Sequence, residues 1–295
     1  MNAIKRQEDW EKTVLPMTTV IKEEDKESYE RLISHPQSVV VATKKLVGFK
    51  TYTLLDEMFR DKNGKDIDGI PVASQVGITG LPSSGKSIFV QESAVQVAHN
   101  GKKVLLATSE DQFQSPSPRF DVQARLAQKA EILKLDWKKI KENLIVLDTV
   151  TNGELRTWET FAKTYRHAIE TRKVELVLID TVTLLESYRG ALKYRLQELC
   201  RYNQIHGITG IFVSQRAKEE WDVREMAGGI GLGHILDCTV VIDYGKAWNY
   251  KVTNELDVKR GTFVRIFRVL GCRLCGFDGT YHEIRVTPDG LLRRV

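Results

Sequence analysis

One octapeptide limits the possible folds more than anything else in the chain: Gly80-Leu81-Pro82-Ser83-Ser84-Gly85-Lys86-Ser87. It fits G-x-x-x-x-G-K-[ST] without a gap, a pattern that functions only where a strand runs in and a helix leaves. Both neighbours are present. The apolar stretch 74–79 predicts a buried strand. Over 87–99, Phe89, Val90, Ala94, Val97 and Ala98 fall largely on one face and predict a helix, with Asn100-Gly101 as its left-handed stop. Glycines let the backbone approach phosphate oxygens closely, the loop amides form a nest for them, and the helix start adds a positive dipole end. In such a loop Gly80 to Gly85 cradle a triphosphate and Lys86 reaches its β- and γ-phosphates. The Ser87 hydroxyl holds Mg²⁺, and Ile88 completes the ATP-binding set. A chance match in a surface loop is the alternative, and the strand-loop-helix setting speaks against it.

The rest of the pattern extends this unit into an α/β domain. Strands are predicted at 103–108, 144–147, 175–179, 210–213 and 239–242. Helices are predicted over a segment carrying Leu155, Trp158, Phe161, Ala162, Tyr165 and Ile169, and over 191–205. Two further strands, 262–270 and 281–286, read as antiparallel and are followed by the turn Pro288-Asp289-Gly290. The expected fold is a largely parallel central sheet with antiparallel C-terminal strands, over residues 46–295. Residues 1–45 form a charge-rich extension, predicted helical over 21–35. That helix is either a solvated face laid on the domain or an arm for polymerisation or a partner. With 295 residues the chain can bury its own core without disulfides. No apolar run approaches the ~20 residues of a membrane span, so a cytoplasmic protein without a membrane partner is expected. A net charge of +5 permits nucleic-acid binding without demonstrating it.

Binding a nucleotide is not hydrolysing one. Val177-Leu178-Ile179-Asp180 is an apolar strand ending in a carboxylate, which suits a residue holding magnesium; a strand-end aspartate capping a turn is the plainer reading. A base for the attacking water is also needed. Glu110, just after the strand 103–108, is the candidate, with Asp111 beside it; an exposed acidic turn is the alternative.

Phosphate loop, helix, strand, Glu110 and then Asp180 is an order that resembles the RecA superfamily. Within it the chain is similar to the archaeal RadA recombinase, its paralogs, and the KaiC-like ATPases. Val47-Gly48-Phe49-Lys50, Leu54-Leu55-Asp56-Glu57 and Gly69-Ile70-Pro71 resemble the entry those families place before the phosphate loop, expanded here by residues 60–68. The resemblance implies a RecA-like fold and a catalytic role for Glu110 and Lys86. It also implies a sensor role for Gln215, at the end of Ile211-Phe212-Val213-Ser214-Gln215, and an adenine contact at Arg119. It maps two DNA-facing loops onto residues 187–192 and 216–233. Arg189, Lys193 and Arg195 are then the phosphate contacts, and Tyr188 or Tyr194 the stacking platform for single-stranded DNA.

At the C-terminal strands the chain departs from KaiC-like proteins, which carry a Lys-x-Arg pair reaching the neighbouring subunit's ATP. Here the arginine falls on Arg273 and the lysine position holds Gly271. An Arg273 that acts this way requires a homo-oligomeric ring or filament. Cys272-Arg273-Leu274-Cys275 overlaps this stretch. It reads as free thiols, as a disulfide, or as half of a zinc site that Cys200 and Cys238 could complete. Three functions stay open: a recombination or repair accessory working with DNA or a RecA-family recombinase, a signalling or protein-remodelling ATPase without DNA, and a scaffold that has lost its hydrolysis.

Overall fold

Strand patterning in the sequence alternates between two apolar faces, and the computed structural model uses both. It describes residues 46–117, 121–185, 191–215 and 234–295, all within one unit, Leu46–Val295. Nine strands form the main sheet of the described residues: Gln75–Gly80 (β1), Val104–Thr108 (β2), Leu144–Asp148 (β3), Leu176–Asp180 (β4), Thr209–Gln215 (β5), Cys238–Lys246 (β6), Phe263–Cys272 (β7), His282–Val286 (β8) and Leu292–Arg294 (β9). Their order is β9-β8-β7-β6-β1-β5-β4-β2-β3. From β6 to β3 all pairs are parallel; β6-β7, β7-β8 and β8-β9 are antiparallel. The expected fold class therefore holds, and β9 adds an edge strand that the turn at Pro288 had only announced.

Helices cover both faces, which is why the parallel strands are apolar almost throughout. On one face Val104, Leu106, Leu178 and Val240 pack with Phe89, Val90 and Ala94 of Lys86–His99 (α1) and with Val122–Ile132 (α2) and Trp137–Asn143 (α3). On the other, Leu105, Ala107, Val177 and Phe212 meet Phe161 and Tyr165 of Trp158–Arg172 (α4) and Leu196 and Leu199 of Ala191–Ile205 (α5). Neighbours in sequence such as Leu105 and Leu106 thus bury on opposite faces, as a pleated strand requires. The helix expected from Leu155 onward is broken: Gly153–Arg156 is a 3₁₀ turn, and the Thr157 side chain accepts from Thr160 N to start α4. Helices α2 and α3 carry the same kind of start signal, Asp121 accepting from Ala124 N and Asp136 from Lys138 N.

Strand registers decide where the chemistry sits. Gly80 pairs with Gln215, and Thr108 with both Asp148 and Asp180, so these residues line up at the carboxyl ends of the parallel strands. The opposite edge carries Gln75, Gly210 and Cys238, with Cys272 facing Cys238. In open α/β sheets the crevice outside the carboxyl ends is where ligands bind. The expanded entry is a tight turn, in which Asp61 Oδ1 accepts from Asn63 N and Lys65 N. Among the described residues no helix is long and apolar enough to cross a membrane.

Candidate functional site

The phosphate loop is held by its neighbours as much as by its own sequence. A Cβ on Gly80 would lie 1.8 Å from the Ile242 carbonyl oxygen, so β6 forces glycine there. Gly85 has φ +112°, in the region that favours glycine, and opens α1. Leu81 N donates to the buried Asp243 carboxylate at 3.3 Å, and Arg265 Nη1 donates to the carbonyls of Ser84 (2.8 Å) and Ser83 (3.4 Å). Asp243 and Arg265 come from β6 and β7, so the antiparallel half of the sheet grips the loop. Lys86 is buried, its Nζ donating to Gly80 O at 3.0 Å, Leu81 O at 2.6 Å and Ser84 Oγ at 3.3 Å. Glu92, one α1 turn beyond Phe89, accepts from Leu292 N and pairs with Arg293, fixing the helix to β9.

Beside the loop lies a cavity of about 20 Å³ whose lining includes Ser87, Thr108, Glu110, Asp111, Arg125 and Asp180. Ser109 binds the two strand ends together: its N donates to Asp180 O at 3.0 Å, and its Oγ accepts from Thr181 N at 2.9 Å. That places Glu110 against Asp180. Asp148 accepts from Phe113 N and holds the segment that follows. Glu110 and Gln215, separate expectations from the sequence, are joined: Gln215 Nε2 donates to Glu110 Oε1 at 2.7 Å. Asp111 is engaged elsewhere, accepting from Arg125 Nη2 of α2 at 2.5 Å.

The electrostatics centre on Asp180. Burial pushes its carboxyl up to about 6, against a hydrogen bond from Ser87 and with further upward pressure from Glu110 and Asp111. Its Oδ1 is buried without a hydrogen-bond partner. An orphaned carboxylate oxygen beside a serine hydroxyl is a pair of hard oxygen donors, and it suits Mg²⁺.

Other sequence expectations fall elsewhere. Arg119 and the two DNA-facing stretches containing Tyr188, Arg189 and 216–233 lie outside the described residues. Lys193 and Tyr194 are exposed on α5. Arg195 is engaged within the chain, donating to Leu185 O at 2.7 Å with its guanidinium 5.2 Å from the Trp158 ring. Arg273 donates to His234 O at 2.5 Å, at the sheet edge opposite its own phosphate loop. From Val76, the partner of Cys238, to Gly80 is four residues of strand, roughly 13 Å. The sequence reading missed Asp243, Arg265 and Arg125. A larger cavity, about 340 Å³, is lined by Lys50, Asp56, Glu92 and Arg293 among others, and touches neither Asp180 nor Glu110; size alone does not mark the site.

A strand-loop-helix cradle at the carboxyl ends of a parallel sheet, an aspartate closing a neighbouring strand, and antiparallel strands beyond define a RecA-superfamily P-loop ATPase domain. Within that class, the chain belongs to the KaiC ATPase family: the family description "ATPase: KaiC" matches residues 49–292. It is 26% identical over 242 residues to UPF0273 protein PF1931 of Pyrococcus furiosus, spanning 77% of this chain and 90% of that protein. It is also similar in fold to the KaiC-like protein PH0186 from Pyrococcus horikoshii OT3. That match has a TM-score of 0.62 and 15% identity, and covers 85% of this chain and all of the other.

Proposed function

We propose that this chain binds ATP with Mg²⁺ and hydrolyses it, with Glu110 as the base. The observation that carries the reading is the hydrogen bond from Gln215 to Glu110 beside Asp180. Lys86 and the loop amides bind and orient the β- and γ-phosphates, and Ser87 and Asp180 hold the metal. The metal, when bound, neutralises charge that develops on the phosphate oxygens. Glu110 takes the proton of the attacking water at the carboxylate oxygen that Gln215 leaves open. Gln215 orients that carboxylate, so a change at the γ-phosphate end of the site is transmitted to the start of segment 216–233. Asp111, already paired with Arg125, is a poorer acceptor than Glu110.

The work that this ATPase drives is read as KaiC-like signalling or protein remodelling in a homo-oligomer. Family membership supports it, and Arg195, tied to Leu185 and Trp158, is withdrawn from the set of nucleic-acid contacts. The recombination-accessory reading keeps Lys193 and Tyr194. Arg273 cannot serve its own phosphate loop from the far edge of the sheet, so a finger role needs a second copy of the chain. In the test, Glu110→Gln retains ATP binding but loses hydrolysis, because an amide cannot accept the proton. Parent-rate hydrolysis by this variant would overturn the assignment. Stimulation by single-stranded DNA would favour the recombination reading.

A further inference from the structure

We infer that Cys238, Cys272 and Cys275 form a thiol relay in which Cys272 attacks a low-molecular-weight disulfide and passes the oxidation to one of its two neighbours. Cys272 and Cys238 are directly opposed across β7 and β6, and their Sγ atoms are 2.9 Å apart. Cys275, across a two-residue turn, has its Sγ 3.6 Å from that of Cys272. No periodicity in the sequence joins Cys238 to this pair; the antiparallel register does. Opposed antiparallel residues stand about 4.5–5.5 Å apart at Cα, inside the range a disulfide spans. All three residues carry free thiols, and Cys200, the fourth, is buried on α5 away from them.

The surroundings separate their roles. Cys238 is buried in the core, whereas Cys272 and Cys275 are half-buried. Beside Cys272 opens a surface cavity of about 190 Å³, lined also by Thr239, Gly271 and Arg273. Hydrogen bonds from Cys238 and then Cys275 hold the Cys272 thiol well below the usual range, and the same contacts push its two partners up. Cys272 contacts both other sulfurs and lines this cavity, which places it to attack as the thiolate. Among the described residues no group of three or more His, Cys, Asp or Glu side chains is disposed to hold a metal.

The steps balance without any further oxidant. The Cys272 thiolate attacks one sulfur of RSSR, forming a Cys272–SR bond and releasing RS⁻. The neighbouring thiol loses its proton to solvent or to RS⁻ and attacks Cys272 Sγ, breaking that bond and releasing the second RS⁻. Two protein thiols are oxidised to one disulfide while RSSR is reduced to two RSH. Attack by Cys238 staples β7 to β6. Attack by Cys275 instead closes the turn that carries Arg273, and the remaining thiol can exchange one bond for the other.

The test uses the full-length reduced protein and oxidised glutathione under anaerobic conditions, quenched by alkylation and read by mass spectrometry. The expected product has lost two hydrogens and yields a Cys238–Cys272 cross-linked peptide, with Cys200 alkylated only after denaturation. Cys275→Ser should keep that cross-link, Cys238→Ser should redirect it to Cys272–Cys275, and Cys272→Ser should form no internal bond. In the unaltered protein, every internal disulfide peptide should contain Cys272, paired with Cys238 or Cys275, a measurement independent of how the variants fold. Glutathione adducts without an internal disulfide, parent-rate bond formation by Cys272→Ser, or an internal disulfide that leaves Cys272 out would each overturn the relay.

Discussion

Asp180→Asn separates the cost of the site from its use. The folded carboxyl is raised to about 6 from an ordinary 3.8, so folding makes Asp180 hold its proton more tightly. A group raised in this way costs nothing where both states are protonated. Its penalty grows as pH rises from the unfolded toward the folded value and is constant above the latter. Two pK units correspond to roughly 3 kcal/mol at the plateau, an upper figure. Asparagine does not titrate. Its own hydrogen bonding adds a constant that does not change with pH, so the pH-dependent part isolates the charge. The stability difference between variant and parent should therefore shift in favour of the variant by about 1.4 kcal/mol between pH ~5 and pH ~7.5. Urea unfolding of both proteins without divalent metal, with the slopes checked for equality, measures it. Adding Mg²⁺ and a non-hydrolysable ATP analogue should stabilise the parent and leave the variant much less affected. A pH-independent difference, or one that shifts toward the parent as pH rises, would refute the placement of a buried, unneutralised carboxylate at the end of β4.

Two further outcomes test the groups around it. Arg125→Ala releases Asp111, adding uncompensated negative charge near Asp180; the acid limb of the ATPase pH profile should move to higher pH, while stability falls by no more than ~1 kcal/mol because the pair is part-exposed. An unmoved limb would place Asp111 outside the site's electrostatics. Arg273→Ala and Lys86→Ala subunits should each be inactive alone and regain activity when co-assembled; co-assembled mixtures that stay inactive would remove the trans role of Arg273.

The parts legible in the sequence are those whose chemistry is local. Gly80 to Ser87 specifies its own strand, loop and helix start, and Asp180 ends an apolar run. Glu110 and Gln215 stand 105 residues apart. Each was identifiable by its strand end, but their contact depends on the order β1-β5-β4-β2, which no local pattern encodes. Arg265 and Asp243 grip the loop from strands read only as sheet, since their partners are backbone groups some 160 to 180 residues away. Helices α2 and α3 were within reach through Asp121 and Asp136, whose cap spacing is local. The Cys238–Cys272 meeting was not, because it depends on a register that shifts between Val269 and Gly271.

Gly80 has a consequence for how the family can drift. Its missing side chain is demanded by the Ile242 carbonyl oxygen, at 1.8 Å from any Cβ, before a phosphate is considered. A descendant that had abandoned nucleotide chemistry would still be held to glycine there by the packing of β1 on β6. The exposed Glu110 is under no such backbone demand and would be free to change. Among relatives, a retained glycine at this position therefore reports an intact sheet, and a retained glutamate at the other is what the proposed base role requires of a chain that still hydrolyses ATP.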